Sequence, residues 1–377
     1  MRSVNAVMGS LHDRDCEFDA TPSPCCLLSP LPVLLSPFVV ITDSPTPPLM
    51  QRRRFLGQLA AGATLGASLS TSVSPLRAAS APPPIRPRHR VLRVAHLTDP
   101  HVFGERGAEA GVAEALRHAQ AAKPDFIFFG GDLIMDALGK EKDAAIAQFA
   151  LWERVVAAEL RTPHHVCLGN HDVWGWKLRD AAAAAAATDP LFGKGLALER
   201  LALRDRYYSF NQAGWHFIVL DSTQRVEDPQ IGYTARLDET QFEWLVRDLA
   251  ATPAAVPICV LSHIPILSAC TFLDGENEKT GNWQVPGQWM HLDVRRLKTL
   301  FRQHPNVKAC LSGHIHLADE VSYLGVRYFC NGAVSGGWWK GPYQEFGPAY
   351  AVVDFHDDGT VDNRLVHYRQ PPAVAGA

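Results

Sequence analysis

The sequence predicts an α/β layered fold built on central sheets, with a polar site gathered along one rim. Two observations predict it: short apolar runs stop abruptly in polar motifs, and helical stretches lie between those runs. A third bounds it. The chain has 377 residues, 47% apolar and 20% charged, with a formal net charge of -3, which leaves room for one large α/β domain or two small ones. That near-neutral balance gives no ground for a nucleic-acid or anionic-membrane partner.

The chain opens on segments that do not read as fold. Residues 1–49 include "CCLLSPLPVLLSPFVVIT", a stretch without charge that carries Pro30, Pro32 and Pro37. Three prolines argue against a continuous spanning helix, so the segment reads as an upstream extension or leader, with translation expected to start at Met50. From there "MQRRRFLGQLAAGATLGASLS" leads to small residues at Ala79, Ser80 and Ala81. Residues 50–81 resemble a bacterial twin-arginine signal peptide, with Gln51 and Gly57 departing from the commonest flanking residues. The expectation is passage through the twin-arginine export machinery to the periplasm or beyond, with no stable membrane anchor after cleavage. Residues 82–90, "PPPIRPRHR", read as a proline-rich linker, and residues 91–370 as the folded domain.

From Val91 one device repeats. "VLRVAHLTDPH" ends in Asp99 and His101, "DFIFFGGDLIMD" delivers Asp132, and "HHVCLGNHD" delivers Asn170, His171 and Asp172. "PICVLSHIPI" then delivers His263, and "VKACLSGHIH" delivers His314 and His316. Ala108–Ala122, Lys140–Leu160 and Leu237–Ala250 read as helices between these strands. The alanine run Ala181–Ala187 reads as a helix on intrinsic propensity alone. "DFHDDGTVDNRLVHY" reads as a terminal hairpin turning at Asp358-Gly359 that completes a sheet. Cys167, Cys259 and Cys310 sit inside apolar runs and read as small buried hydrophobes. Cys270 and Cys330 are open as two thiols or one bridge.

Polar groups collect where strands end in such folds, so motifs far apart in sequence can meet at one rim. A His-x-His pair alone reads equally well as two packed imidazoles; the whole set does not. Asp99, His101, Asp132, Asn170, His263, His314 and His316 combine imidazole with carboxylate, which suits first-row divalent or trivalent metals. The scarcity of thiols argues against a structural zinc site. The set is too large for one tetrahedral ion and suits two ions sharing a carboxylate. Asp132 is the natural bridge, since its two oxygens can serve both. Gly131, Gly169 and Gly313 beside the ligands allow tight turns and close backbone approach.

Asp-x-His, Gly-Gly-Asp, Gly-Asn-His-Asp, a lone His after a strand and Gly-His-x-His stand in this order across residues 91–356. The set resembles the calcineurin-like metallophosphoesterases. That resemblance implies a four-layer sandwich of two mixed β-sheets flanked by helices. It implies that Asp99, His101, Asp132 and His316 hold one metal, and that Asp132, Asn170, His263 and His314 hold the other. His171 would face the substrate without touching metal, and Asp172 is expected to orient it by a hydrogen bond. The implied reaction is hydrolysis of a small phosphoester by a hydroxide held between the two ions, with His171 serving the leaving oxygen and no phosphoenzyme. Mixed O/N ligation admits Fe, Mn, Zn or Co.

Departures from relatives shape the substrate reading. The tyrosine ligand of purple acid phosphatases has no counterpart in Leu133, Ile134, Met135 or Asp136. Val173-Trp174-Gly175-Trp176 and Ile264-Pro265 stand where many cyclic-nucleotide phosphodiesterases carry an arginine and a second histidine. The primary expectation is a phosphodiester or a small phosphorylated metabolite. A cyclic-nucleotide phosphodiesterase, an acid-phosphatase-like monoesterase and a non-catalytic scaffold of the same fold are the alternatives. Scaffolds of this kind erode ligands, and none is missing here. No basic stripe interleaved with aromatics supports a nuclease. Trp174, Trp283, Trp338 and Trp339 are candidate substrate walls, each equally readable as loop packing.

Overall fold

A computed structural model describes residues 87–369. The leader, the signal and most of the linker read from the sequence lie outside the described residues. The chain runs β1 (Arg90–Leu97), α1 (Ala108–Ala121), β2 (Phe126–Phe129), α2 (Lys142–Glu159), β3 (His164–Val166), α3 (Asp180–Ala187) and α4 (Gly195–Arg200). It continues through β4 (Tyr208–Gln212), β5 (Trp215–Leu220), β6 (Thr223–Arg225), β7 (Tyr233–Ala235), α5 (Glu239–Ala251) and β8 (Ile258–Ser262). A short 3-10 turn, Cys270–Phe272, precedes α6 (Val294–Gln303), β9 (Val307–Ser312), β10 (Ala318–Tyr323), β11 (Val326–Asn331), β12 (Ala349–His356) and β13 (Val361–His367).

Two large mixed sheets result. One has the order β13-β12-β1-β2-β3 and the other β10-β11-β9-β8-β5-β4, with β6-β7 as a separate ribbon. In the first, β1, β2 and β3 are parallel while β12 and β13 run against them. In the second, β5, β8, β9 and β11 are parallel, and β4 and β10 are antiparallel edges.

The alternation along each strand builds the layers, because successive side chains point to opposite faces. Leu92 and Val94 of β1, Phe126 and Phe128 of β2, and Phe217, Leu261 and Leu311 from the other sheet share the core between the sheets. Ala95, Leu97, Ile127 and Phe129 face the opposite way and pack with Leu116 of α1 and Phe149 of α2. Ile218, Val260 and Cys310 do the same against Leu245 of α5 and Phe301 of α6. Helix, sheet, sheet, helix: these are the four layers expected from the sequence.

The expected helices fall within two residues of α1, α2 and α5. Helix α5 begins where it does because the Asp238 side chain accepts the Gln241 backbone N–H at 2.9 Å, as an N-cap does. The alanine run is helix α3. The terminal hairpin is present, with Gly359 at φ 81 and Thr360 N–H bonded to Asp358, and β13 forms the sheet edge. His164 and His165 open β3. Among the described residues no helix is long and apolar enough to cross a membrane.

Candidate metal centre

Every site residue read from the sequence follows the C-terminal end of a parallel strand. Asp99 and His101 follow β1, Asp132 follows β2, Asn170 follows β3, His263 follows β8, and His314 and His316 follow β9. Because β1–β2–β3 and β8–β9 lie in facing sheets, these ends converge. Backbone bonds stitch the loops together: Asp99 N to Gly131 O and His101 N to Asp132 O, each 3.0 Å, and Gly313 N to His263 O, also 3.0 Å.

The backbone at the site is strained. Asp99, His101, Asp132, His314 and His316 all have left-handed φ, between 44° and 71°. Each such non-glycine residue costs about 1–3 kcal/mol and persists only where the surroundings over-determine it. Two glycines let the loops close. A Cβ on Gly169 would collide with the Asp132 carboxylate, and one on Gly313 with Thr98 and Asp99.

The side chains divide into two triads. Asp99, His101 and His316 form one and Asp132, His263 and His314 the other, with the ligand atoms of each within 4.8 Å of one another. Asp132 Oδ2 lies 3.2 Å from His263 Nε2 and 3.7 Å from His101 Nε2, so the carboxylate stands between the triads. Asn170 Oδ1 is 3.2 Å from His263 Nε2 and joins the second group. Outer partners aim the rings inward: His263 Nδ1 meets Gly130 O at 2.7 Å, and His316 Nδ1 bonds Gly336 O. A backbone carbonyl on one ring nitrogen leaves the other for a metal.

Charge and burial fit a cation. Asp99, His101 and His263 are fully buried, and Asp132 and His316 are 1% exposed. Burial pushes His101 and His314 down to about 3, which keeps both imidazoles neutral and able to ligate. His263 goes the other way, up to about 9, because Asp132 and Asp99 outweigh its own burial. Burial alone would raise the Asp99 and Asp132 carboxyls, yet the neighbouring histidines, His263 foremost, hold both below the usual carboxylate range. Asp99 Oδ1 is buried without a hydrogen bond. Two buried carboxylates that draw positive charge onto His263, beside the neutral imidazoles of His101 and His314, fit a pair of ions, and these residues can hold them.

His171 sits on the open side, its side chain 29% exposed, with its ring edge-on to His101 at 4.9 Å. Its backbone N–H donates to Asp132 Oδ1 at 2.8 Å. The neighbouring residue departs from expectation. Asp172 does not reach the His171 ring; its carboxylate accepts the backbone N–H groups of Asp132 and Gly169 at 2.9 Å and Leu133 at 2.8 Å. The turn closed by Val173 N to Asn170 O sends the two side chains to opposite sides, so Asp172 is fully buried beneath the loops. It fastens the Gly-Asp and Gly-Asn-His loops to each other. Asp136 instead faces His171, with Oδ1 at 3.7 Å from Nδ1. Its position, four residues past Asp132, carries no signal in the sequence.

Of the four candidate tryptophans, Trp174 is core. Trp283 is 57% exposed and packs on Phe272. Trp339 is pinned by its indole N–H to Pro100 O and His101 O, both at 3.0 Å. Trp338 alone stacks on a ligand ring, with its centroid 4.2 Å from that of His316. Tyr233, not singled out in the sequence, stands edge-on to His314 at 6.3 Å. Cys167, Cys259, Cys270, Cys310 and Cys330 are buried free thiols, which leaves Cys270 and Cys330 unbridged.

The model of the calcineurin-like phosphoesterase family matches residues 92–318. The 3',5'-cyclic adenosine monophosphate phosphodiesterase CpdA of Escherichia coli is 26% identical over 302 residues, spanning 75% of this chain and 94% of that protein. A dimetal phosphatase from Danio rerio superposes with a TM-score of 0.50 at 14% identity, covering 74% of this chain and all of that one, and so shares the fold. The two-sheet sandwich, the convergent carboxylate and imidazole set and the family match together show that this chain belongs to the calcineurin-like phosphoesterase family, as a metal-dependent phosphohydrolase.

Proposed function

We propose that this metallophosphoesterase hydrolyses phosphodiesters of small molecules by direct attack of water, without a covalent intermediate. The observation that carries the reading is the pair of triads meeting at Asp132, with His171 on their open side. Asp99, His101, Asp132 and His316 would hold one ion, and Asp132, Asn170, His263 and His314 the other. Such a pair supplies an activated water near neutral pH and offsets charge on the phosphoryl oxygens. The chain's own residues do the rest. Asp132 and Asp99 set the local charge, and the buried loops exclude bulk water. His171, half-exposed beside the site, is the group able to hand a proton to the leaving oxygen. Asp136 stands where it can steady the protonated ring.

A second reading, hydrolysis of a cyclic nucleotide, is favoured by the similarity to the Escherichia coli phosphodiesterase along 94% of its length. The decisive experiment measures metal content together with hydrolysis of bis-p-nitrophenyl phosphate, p-nitrophenyl phosphate and cyclic AMP. About two metals per chain with diester turnover supports the reading. Turnover of the monoester alone would replace it, and no metal and no turnover after reloading with Mn or Fe would make the protein a scaffold. The "QRRRFLG" stretch supports export of the folded protein; a mature N-terminus upstream of Met50 would argue against that route.

A further inference from the structure

Trp338 and Trp339 are adjacent, and both adopt left-handed φ, 51° and 66°. Bulky residues rarely occupy the left-handed region and stay there where their surroundings hold them. Trp339 is explained by its indole bonds to Pro100 and His101 and by its packing against Gly111. Trp338 is not needed for that anchor. The same turn swings its ring over His316, nearly parallel at 26°, and 6.1 Å from His101. Tyr343 stands edge-on to it at 5.1 Å and is itself fixed by a 2.5 Å hydrogen bond to Asp274. The ring is therefore held at a set angle, half-buried, at the margin of the first triad, on ground where the ligands themselves are closed to solvent.

On the phosphodiesterase reading above, we propose that Trp338 is a specificity residue whose indole stacks on a planar group of the ester, so that substrates bearing an aryl or nucleobase ring are preferred over alkyl esters. A phosphate bound through the ion that Asp99, His101 and His316 would hold comes within reach of the Trp338 ring, which lies 4.2 Å from His316 and 6.1 Å from His101, so an ester group carried on that side can meet the indole. A flat π-surface rewards a flat ligand of either kind and gives little to a methyl group. Trp338 makes no bond in the reaction; it selects what is carried beside the phosphorus.

The test uses metal-loaded protein and two esters, phenyl p-nitrophenyl phosphate and methyl p-nitrophenyl phosphate, which share a leaving group and differ in the group retained. The ratio of their kcat/KM values is expected to fall about 5- to 100-fold in Trp338→Ala and to stay within about threefold of wild type in Trp338→Phe, at unchanged metal content. An unchanged ratio in Trp338→Ala overturns the proposal. So does metal loss in both variants, which would make the ring a prop for His316. If the wild-type enzyme cleaves neither ester, the phosphodiesterase reading fails. Calorimetric titration with phenylphosphonate and methylphosphonate then decides the stacking claim separately: equal affinities in wild type overturn it, and a phenyl preference lost in Trp338→Ala upholds it.

Discussion

Removing the Asp172 carboxylate tests whether this residue holds the loops or the catalytic histidine. One oxygen accepts from Asp132 N and Gly169 N, and the other from Leu133 N, all at 2.8–2.9 Å and all buried. Asp172→Ala orphans these donors. Each buried, unsatisfied N–H costs about 1–3 kcal/mol, so the sum is roughly 3–9 kcal/mol against a typical total stability of about 5–15. The carboxyl is pushed up to about 7 by its burial and then by Asp132. Its removal therefore also relieves an unfavourable buried charge, and the low end of that range is expected. Asp172→Asn can keep two of the bonds but turns an amide N–H2 toward Leu133 N, a loss of about 1–3 kcal/mol. Urea unfolding of metal-free protein, followed by tryptophan fluorescence, should rank wild type above Asn and Asn above Ala. With a slope of about 3 kcal/mol per molar, the alanine variant should move the midpoint down by roughly 1 M or more. Stability unchanged to within about 0.5 kcal/mol, together with a lower kcat, would refute this and return Asp172 to the role of orienting His171.

The remaining predictions concern two histidines. His171→Ala should keep its metals, because the ring is outside both triads, while kcat falls about 100- to 10,000-fold; elemental analysis showing metal loss would contradict the assignment. His96 is fully buried, and burial pushes it down to about 4, while in the unfolded chain it titrates near the ordinary imidazole value of about 6.5. A histidine depressed in the folded state contributes stability above its unfolded pKa, and that contribution is lost as pH falls from about 6.5 toward 4. The full loss is about 3 kcal/mol. Denaturation of metal-free wild type and His96→Gln across this window should show the two stabilities converging as pH drops; parallel curves would refute it.

How much of this was legible in the sequence depended on which physical rule governed each residue. The layers were legible because period-two burial writes itself into strands such as Phe126-Ile127-Phe128-Phe129, whose side chains alternate between the two cores. The ligands were legible because a parallel strand delivers whatever follows its last residue to the same rim. That rule needs no knowledge of the loop. The misread residue, Asp172, is one where the loop decides. Sequence adjacency to His171 suggested a shared hydrogen bond, yet a single turn faces the two side chains apart and gives the carboxylate to backbone donors forty residues upstream, at 132 and 133. The placing of Asp136 is illegible for the converse reason, since only the path of the chain after Asp132 brings it back beside His171.

The tryptophans make the same division. Composition marked Trp338 and Trp339 alike, and nothing in a Trp-Trp pair says which one will anchor and which will face the site. The difference lies in backbone angles near 51° and 66°, which no pattern of apolar residues encodes. Such angles are stable here because the indole of Trp339 finds two carbonyl acceptors on the strand end that carries His101. The element that shapes the margin of the site is thus fastened to the element that binds the metal. A change at Trp338 should therefore register first in which ester is cleaved, whereas a change that frees Trp339 or moves the Gly336 carbonyl off His316 should register in whether metal is held.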